Sequence, residues 1–416
     1  MENDFKIKPY KLVNGIQNYA WGARGEDAYI PNLLEIETDP DESYAELWIG
    51  SHPAASSKVV LGSEKVRLSK FIEKYPVEIL GPEVATKFQN ELPFLFKILS
   101  AREALSIQVH PDKRTAQKLN QKDPEHYPDR NHKPEIAIAL DSLEALIGFR
   151  PIVEIVQMMD QYTELASFIG KDKVSELEEV IEGIKNPRIV LEDVFSSMLY
   201  NAVHYPEKLE KLCQNLSEEF RKNIQNNRTQ DKEREKLFLE LNGKYKGDVG
   251  LLIIFFLNLV KLDKGEAIFM GPGVLHTYLQ GNIVECMANS DNVVRAGLTP
   301  KYKDIETLVE ITKYIPGNIE RLNSSQHRRE KVKYPAPEPE FNIFQYNLEK
   351  NEKQTITNIN SVEVLLIIRG QIWLTSKEQD IKLNKGESIL IPARMEKYSL
   401  KALEENRFFR VNVPVE

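Results

Sequence analysis

The chain has 416 residues, more than the roughly 250 to 300 at which a single hydrophobic core stops growing, so we expect two or three domains. Acidic residues outnumber Lys and Arg by 63 to 55, and the net charge of -8 excludes a generally basic nucleic-acid-binding protein. A local basic pocket for a small anion stays compatible with this charge. The two cysteines lack a Cys-x-x-Cys spacing, which excludes a disulfide scaffold and a thiolate zinc ribbon.

The apolar runs of the sequence predict neither a secretory leader nor a membrane span. Charged residues lie among the first eight positions, where a signal peptide needs an apolar run. The most apolar stretch, residues 251–257, covers seven positions, against the roughly 20 that a transmembrane helix requires. We therefore predict a buried strand at 251–257 and a cytoplasmic protein without membrane or nucleic-acid partners.

From residue 5 to about residue 150 the pattern is typical of β-structure. Short apolar runs, such as those at 45–49, 59–61 and 136–140, are separated by Gly, Pro, Asn and Asp. Residues 1–150 are therefore predicted to supply strands.

Between residues 151 and 247 the period becomes helical. One apolar stripe follows the i, i+3, i+4, i+7, i+8 spacing of an amphipathic helix and consists of Leu191, Val194, Phe195, Met198 and Leu199. The charge-rich run 218–236 is interpreted as the solvated outer face of such helices. The sequence thus predicts an α-helical insertion at 151–247.

The β pattern resumes at about residue 250, followed by a short helix signal at 304–315. Pro316-Gly317 and a series of prolines at 335, 337 and 339 then mark a linker and the start of a last domain, in which 362–369 is a dense strand. We predict one domain from 1–150 and 248–316 together, and a second from 317–416.

An internal repeat sharpens this prediction. Residues 262–276 resemble residues 383–397 without a gap, and each copy has a Lys-Gly-Glu turn, a strand and a second turn. This pattern is typical of the cupin type of jelly-roll β-barrel. The fold class predicted is mainly β: two cupin-type jelly-roll β-barrels plus an α-helical domain. The first copy ends on His276 and the second on Lys397, so we expect the C-terminal barrel to lack a metal.

Strand alternation brings metal-capable side chains together. Gln108 and His110 are two residues apart and face the same way, and Glu135 shares a face with Ala137 and Ala139, which leave space in front of the carboxylate. With His276 the group contains two imidazoles, one carboxylate and one amide oxygen, which is a possible ligand set for a divalent metal. Spacing alone leaves the alternative open that these are hydrogen-bonded or ion-paired core residues.

Six sequence motifs resemble those of the type I mannose-6-phosphate isomerase family, in order across residues 5 to 315. The residues after 315 resemble the family more loosely. The six motifs are Gln17-Asn-Tyr-Ala-Trp-Gly22, residues 45–53, Leu105-Ser-Ile-Gln-Val-His-Pro-Asp-Lys113, His132-Lys-Pro-Glu135, residues 144–150 and residues 288–302. The resemblance implies an enzyme with one Zn²⁺ per chain that interconverts mannose 6-phosphate and fructose 6-phosphate. The implied zinc ligands are Gln108, His110, Glu135 and His276.

The resemblance also implies roles in proton transfer. Moving a carbonyl between C1 and C2 requires a base for a carbon-bound proton and an electrophile for the enediolate oxygen. Lys133 and Glu285 are competing candidates for the base, and Lys133 is alternatively a plain partner for an anion. Arg295 is implied to hold the enediolate side of the sugar. His132 or His110, with Asp291, is implied to open the sugar ring.

Substrate binding needs side chains and turn amides, because the chain has no phosphate-binding Gly-rich loop. By family position Lys97 and Ser106 are implied phosphate contacts, and Lys301 is a further cation. Trp21 and Tyr278 are expected to form apolar walls that exclude water, although Trp21 could equally be a core residue. The expected partner is thus a sugar phosphate, bound by a monomer.

Two other classes remain as alternatives. His110, Glu135 and His276 are also the residue types of a mononuclear iron oxygenase, against which Gln108 and the nearby lysines argue. A non-catalytic sugar-phosphate sensor would have lost a ligand, Lys133 or Arg295, and all are present.

Overall fold

The computed structural model describes residues 5–322 and 330–415. In these ranges the chain is mainly antiparallel β-structure with a block of helices in its middle, as predicted. The strands are β1 (Tyr10–Val13), β2 (Gly15–Gln17), β3 (Glu46–Ile49), β4 (Lys58–Leu61), β5 (Glu64–Arg67), β6 (Phe94–Ala101), β7 (Ile107–Val109), β8 (Glu135–Phe149), β9 (Leu257–Leu262), β10 (Ala267–Met270), β11 (His276–Ala288), β12 (Val294–Gly297), β13 (Lys331–Tyr334), β14 (Asn342–Leu348), β15 (Lys353–Thr357), β16 (Glu363–Arg369), β17 (Ile372–Thr375), β18 (Asp380–Leu383), β19 (Ser388–Ile391), β20 (Lys397–Ala402) and β21 (Asn406–Asn412).

The helices are α1 (Tyr29–Leu34), α2 (Leu68–Lys74), α3 (Pro76–Leu80), α4 (Pro82–Lys87), α5 (Lys113–Lys122), α6 (Ile152–Gln161), α7 (Thr163–Ile169), α8 (Lys171–Ile181), α9 (Pro187–His204), α10 (Pro206–Gln225), α11 (Lys232–Lys244), α12 (Gly250–Ile253) and α13 (Ile305–Ile311). Six of them, α6 to α11, fall inside the predicted helical insertion. No helix in the described part of the chain is long and apolar enough to cross a membrane.

Three sheets organise the β-structure of residues 5–322 and 330–415. The first has the order β10-β8-β11-β6-β3-β2, with β9 paired to β8 and β7 paired to both β11 and β12. The second has the order β13-β14-β21-β16-β19-β1-β4-β5, and the third β15-β20-β17-β18. The first sheet carries the predicted metal ligands, so its strand register decides the geometry of the site.

Strand β16 explains why residues 362–369 are apolar at nearly every position. Val364 and Leu366 pack into a core shared with the first sheet, whereas Leu365 and Ile367 pack into the core beneath the third sheet. A strand that is buried on both faces has no polar side to alternate with. The dense strand predicted there is confirmed.

The second sheet joins the two ends of the chain. Strand β1 pairs with β19 through Tyr10 and Leu390, and its other edge pairs with β4. The N-terminal strands β1, β4 and β5 therefore extend a sheet that otherwise comes from the C-terminal region. The domain boundaries at 1–150, 248–316 and 317–416 stay a prediction, and they do not anticipate this shared sheet.

The internal repeat corresponds to one structural unit used twice. In each copy a strand leads into a turn with a glycine in the left-handed region, Gly265 at φ 87° and Gly386 at φ 80°. The following glutamates close the turns alike: Glu266 accepts a hydrogen bond from the backbone of Asp263 at 2.8 Å, and Glu387 accepts one from Asn384 at 2.7 Å. The two copies continue into β10 and β11, and into β19 and β20.

The helical block shares a hydrophobic core with one face of the first sheet. The predicted stripe of α9 is fully buried, and Phe195 packs edge-on against Phe149 of the first sheet. The charge-rich run 218–236 is not entirely a solvated face, because Arg234 and Glu235 are buried. Arg234 donates to the backbone carbonyl of Ile254, and Glu235 accepts from Tyr162 at 3.1 Å.

The buried strand predicted at 251–257 is wrong. Helix α12 and a turn occupy most of the stretch, and β9 begins at Leu257. All seven residues are fully buried, and a short run that is apolar at every position has no periodicity to distinguish a helix from a strand. The helix lies against β12 so closely that a Cβ on Gly297 would be 2.4 Å from the Cα of Gly250.

Asp248 holds this junction between the helical block and the first sheet. Its Oδ1 accepts backbone hydrogen bonds from Gly250 and Leu298, both at 2.7 Å, and its Oδ2 pairs with Lys303 at 2.8 Å. Asp248→Ala leaves two backbone donors without this acceptor, at about 1–3 kcal/mol each. We expect a clear drop in the urea midpoint of Asp248→Ala and little change for Lys303→Ala, whose pair is partly exposed. Equal midpoints for the two variants would contradict this assignment.

Candidate active site

Strand pairing in the first sheet brings the predicted metal ligands together. Gln108 lies on β7, His110 follows it, and Glu135 and His276 are the first residues of β8 and β11. The register places His276 directly opposite Gln108. Residues from three separate parts of the sequence therefore meet at one end of the sheet.

Two imidazoles and one carboxylate converge there. The Nε2 atoms of His110 and His276 lie 3.5 and 3.1 Å from Glu135 Oε2. The Nδ1 atoms are held by backbone carbonyls, that of His110 by Asn292 at 2.8 Å and that of His276 by Val274 at 2.9 Å. These carbonyl contacts fix the tautomer and turn both Nε2 atoms toward the carboxylate.

The three converging atoms fit a divalent metal ion. Both Nε2 atoms and Glu135 Oε2 are buried and have no hydrogen-bond partner among the described residues, an arrangement that is costly unless something else satisfies them. The two nitrogen-to-oxygen separations, 3.5 and 3.1 Å, are close to the ligand-to-ligand distance of about 3.3 Å that tetrahedral bonds of about 2.0 Å imply. Gln108 lines the adjoining cavity and is available as a fourth ligand.

The protonation states also suit a metal. Burial, helped by the nearby Lys133, lowers the pKa of His110 to about 4, so the imidazole is neutral and can use its lone pair. Burial alone would raise the pKa of Glu135, but Lys133, with Nζ at 3.1 Å from Oε1, and His110 hold it well below the ordinary range. The carboxylate is therefore ionised at neutral pH.

A cavity of about 410 Å³ opens beside this cluster. Its lining includes eight residues predicted from the sequence to belong to the site: Trp21, Lys97, Ser106, Gln108, Lys133, Asp291, Arg295 and Lys301. Its size is within the range of small-molecule binding sites.

The cavity has an excess of positive charge in a chain that is acidic overall. Five cationic side chains and two carboxylates line it; the cations are Lys97, Lys133, Lys244, Arg295 and Lys301, and the carboxylates are Glu46 and Asp291. Burial alone lowers the pKa of the Arg295 guanidinium, and no neighbouring carboxylate offsets that effect. Such a surface favours an anionic ligand.

At the wall of the cavity lies a buried network around Lys97. Its Nζ is 3.2 Å from Glu285 Oε2 and 3.8 Å from Glu46 Oε2. Burial alone would lower the pKa of Lys97, but the two carboxylates outweigh burial and raise it. Burial, and next the charge of Glu135, raises the pKa of Glu285, whose Oε1 accepts a hydrogen bond from Tyr278 at 2.8 Å.

Two predicted site residues take other positions. The structure does not bring His132 into the cavity lining; its Nε2 lies 2.8 Å from Glu340 Oε1 in the C-terminal region. Tyr278 is buried behind the cavity as the hydrogen-bond partner of Glu285 and is not one of its walls. The direction of His132 depends on Glu340, which is distant in sequence, whereas Tyr278 contacts Glu285 of its own strand, β11.

Sequence reasoning missed four residues of the site. Glu46 lines the cavity and accepts a hydrogen bond from the indole of Trp48. Strand alternation puts Glu46 and Trp48 on the same face of β3, and this pattern could have indicated Glu46 as a site residue. His52 accepts from the backbone of Ala54 at Nδ1 (3.2 Å) and points Nε2 at Asp291 Oδ2 (3.3 Å).

The other two missed residues come from the helical block. Lys244, the last residue of α11, and Tyr245 after it both line the cavity. Lys244 pairs with Glu103 of the loop between β6 and β7. No pattern within the helices indicates that their end reaches a cavity built by the sheet.

Two protein-family descriptions match this chain. "Phosphomannose isomerase type I, catalytic domain" matches residues 10–152, and "Mannose-6-phosphate isomerase, cupin domain" matches residues 330–411.

Similar sequences and structures agree with these matches. The chain is 37% identical to the mannose-6-phosphate isomerase of Mus musculus (93% of this chain, 94% of the relative) and 37% identical to that of Homo sapiens (95% and 96%). A phosphomannose isomerase structure from Salmonella typhimurium aligns with a TM-score of 0.82 at 32% identity, covering 98% of this chain and 100% of that one. A structure of mannose 6-phosphate isomerase bound with zinc and yttrium aligns with a TM-score of 0.80 at 32% identity and the same coverage.

Proposed function

The chain belongs to the mannose-6-phosphate isomerase family and is an isomerase, and from this premise we propose that it interconverts mannose 6-phosphate and fructose 6-phosphate through an enediol or enediolate at a zinc site. One observation carries the proposal: buried, otherwise unpartnered atoms of His110, Glu135 and His276 converge beside a cavity whose lining is rich in cations. A metal site next to a basic cavity suits a phosphorylated substrate with a polarisable oxygen.

The metal ligands proposed are His110, Glu135 and His276, with Gln108 as the fourth. When bound, a zinc ion supplies positive charge that polarises a substrate oxygen. Because only one of the proposed ligands is a carboxylate, its negative charge would not cancel the charge of a divalent ion, and the site would keep a net positive charge. A relative whose structure is described as bound with zinc supports this choice of metal.

Lys133 is the base that we propose for the C1/C2 proton. It lines the cavity, and its Nζ lies 3.1 Å from a ligand carboxylate oxygen. Glu285 competes for the role, but it is 3% exposed, and both of its oxygens are engaged, one by Tyr278 and one by Lys97. We therefore assign Glu285 to a buried ion pair with Lys97, which lines the cavity.

Arg295 is proposed to hold the anionic oxygens of the enediolate. Its Cα pairs with that of Gln108 across β12 and β7, which puts it at the metal end of the cavity. Ser106 and the exposed Lys301 are proposed to bind the phosphate. Lys97 suits the phosphate less well, because Glu285 and Glu46 already balance its charge.

Ring opening needs an acid and a base at the sugar ring. We propose Asp291, which lines the cavity and is oriented by His52. Burial alone would raise the pKa of Asp291, but the contact with His52 lowers it, so Asp291 is ionised at neutral pH. His132 is left out of this step because its ring contacts Glu340.

A coupled assay tests the proposal as a whole. We expect turnover of mannose 6-phosphate with zinc, little or none of glucose 6-phosphate or free mannose, and loss of turnover on chelation. Full turnover by metal-free protein would contradict the zinc site, and equal turnover of free mannose would contradict the role of the cationic cavity. Oxygen-dependent turnover with tightly bound iron would instead favour a cupin oxygenase.

A further inference from the structure

A second group of metal-capable side chains lies outside the proposed active site. His132 precedes β8, whereas Glu338 and Glu340 belong to the segment between β13 and β14. One ligand atom from each lies within 4.8 Å of the others. We infer that these three side chains form a second site for a divalent transition-metal ion, which joins the loop before Glu135 to the C-terminal region.

Glu340 gives the reason to expect a cation there. The residue is 6% exposed, and its Oε1 lies 2.8 Å from His132 Nε2. Its Oε2 is buried and has no hydrogen-bond partner among the described residues. A protonated His132 would satisfy Oε1 and leave Oε2 unpaired, which is unfavourable for a buried carboxylate. A metal ion bound by both residues and Glu338 removes that cost.

Glu338 supplies the second carboxylate. Burial, partly offset by His132, raises its pKa, and the charge of Glu340 raises it further, as expected for two carboxylates that share a site. Lys313 is the cation that acts on Glu338 from outside the group. Two carboxylates that share one site favour a divalent cation.

The donor types indicate the class of metal. One imidazole and two carboxylates suit Zn²⁺ or Mn²⁺ better than Ca²⁺, which prefers six or more oxygen ligands. Glu338 is partly exposed, whereas the proposed catalytic site has two buried imidazoles, one after β7 and one at the start of β11. The second site is therefore the weaker and more exchangeable one, and it adds to the single zinc that the family resemblance implies.

The loop that carries His132 is already fixed in place. Asp129 Oδ1 accepts from Ser290 at 2.9 Å, and the side chain of Asn292 donates to the backbone carbonyl of Asn131 at 2.9 Å. Asn131 in turn donates to the backbone carbonyl of Asn289 at 3.0 Å. His132 is thus presented by a preorganised loop, and the residue after it is Lys133. A metal there ties the C-terminal region to the catalytic loop.

Metal content at saturating, buffered free Zn²⁺ tests the inference. We expect two zinc ions per wild-type chain and one in Glu338→Gln, with isomerase activity retained. The control Glu404→Gln removes an exposed carboxylate of the same C-terminal region and should keep two. A zinc-dependent rise in melting temperature beyond the first equivalent should appear in the wild type and the control but not in Glu338→Gln.

A second pair of variants separates this site from the proposed catalytic one. His276→Ala should lose one ion and keep the one at His132, and Glu340→Gln should lose the opposite ion. One zinc in the wild type at all concentrations, or two in both Glu338→Gln and Glu340→Gln, would overturn the second site. Unchanged zinc content in His276→Ala would instead overturn the proposed catalytic site and leave this inference standing.

Discussion

Replacing His276 with Ala is expected to remove the tightly bound zinc and to lower kcat by at least about 100- to 1000-fold, the cost of losing one group that stabilises charge in a transition state. His276 Nε2 is 3.1 Å from Glu135 Oε2, and both atoms are buried with no other partner among the described residues. Metal analysis of the purified variant, together with the coupled assay, measures both effects.

The repeat offers a matched control for this variant. Lys397 holds in the second copy the position that His276 holds in the first, since each begins the strand after the second turn. Lys397→Ala should leave the tightly bound zinc and kcat unchanged. A His276→Ala protein that keeps tight zinc and full activity would show that the converging atoms do not form the catalytic site.

Lys133→Ala is expected to lower kcat by about 100- to 10,000-fold, the range for removing a general acid or base. Zinc content should be retained, because the ligands stay in place, and exchange of the C2 proton of the substrate with solvent deuterium should be lost. The exchange readout separates a base from a residue that only binds substrate, whose loss would raise KM and leave kcat largely unchanged.

Glu285→Gln is the competing variant. It keeps the shape of the side chain and its contact with Tyr278, but it removes the negative charge opposite Lys97. If Glu285 were the base, this variant and not Lys133→Ala would abolish the exchange at C2. Lys113→Ala serves as the lysine control, because Lys113 is exposed and bonded to Asn131 outside the cavity.

Local sequence pattern was sufficient to predict which side chains share a face in much of the candidate site. Period-two alternation put Gln108 and His110 on one face and Glu135 with Ala137 on another, and the structure joins these faces through β7, β8 and β11. Cys286, which follows Glu285 on β11, accordingly lies on the other face, in the apolar core between the first two sheets. Alternation is reliable because it depends only on the backbone of one strand.

Local pattern does not identify a residue's partner when that partner is distant in sequence. The resemblance implied roles for His132 and Lys97 but not their contacts: His132 contacts Glu340, and Lys97 lines the cavity between Glu46 and Glu285. The end of the helical block brings Lys244 to the cavity. Each of these directions is decided by packing between separate elements, which leaves no periodic trace in either segment.

The sequence by itself thus determined the mainly β character, the helical block, the repeat and the types of residue at the site, because each depends on composition or on the period of a single element. The tertiary structure alone decided that β1 completes the C-terminal sheet, that residues 251–257 begin as a helix, and which charges are paired in the cavity. Pairing and burial are relations between distant segments, and their free energies depend on distances that exist only after the chain has packed.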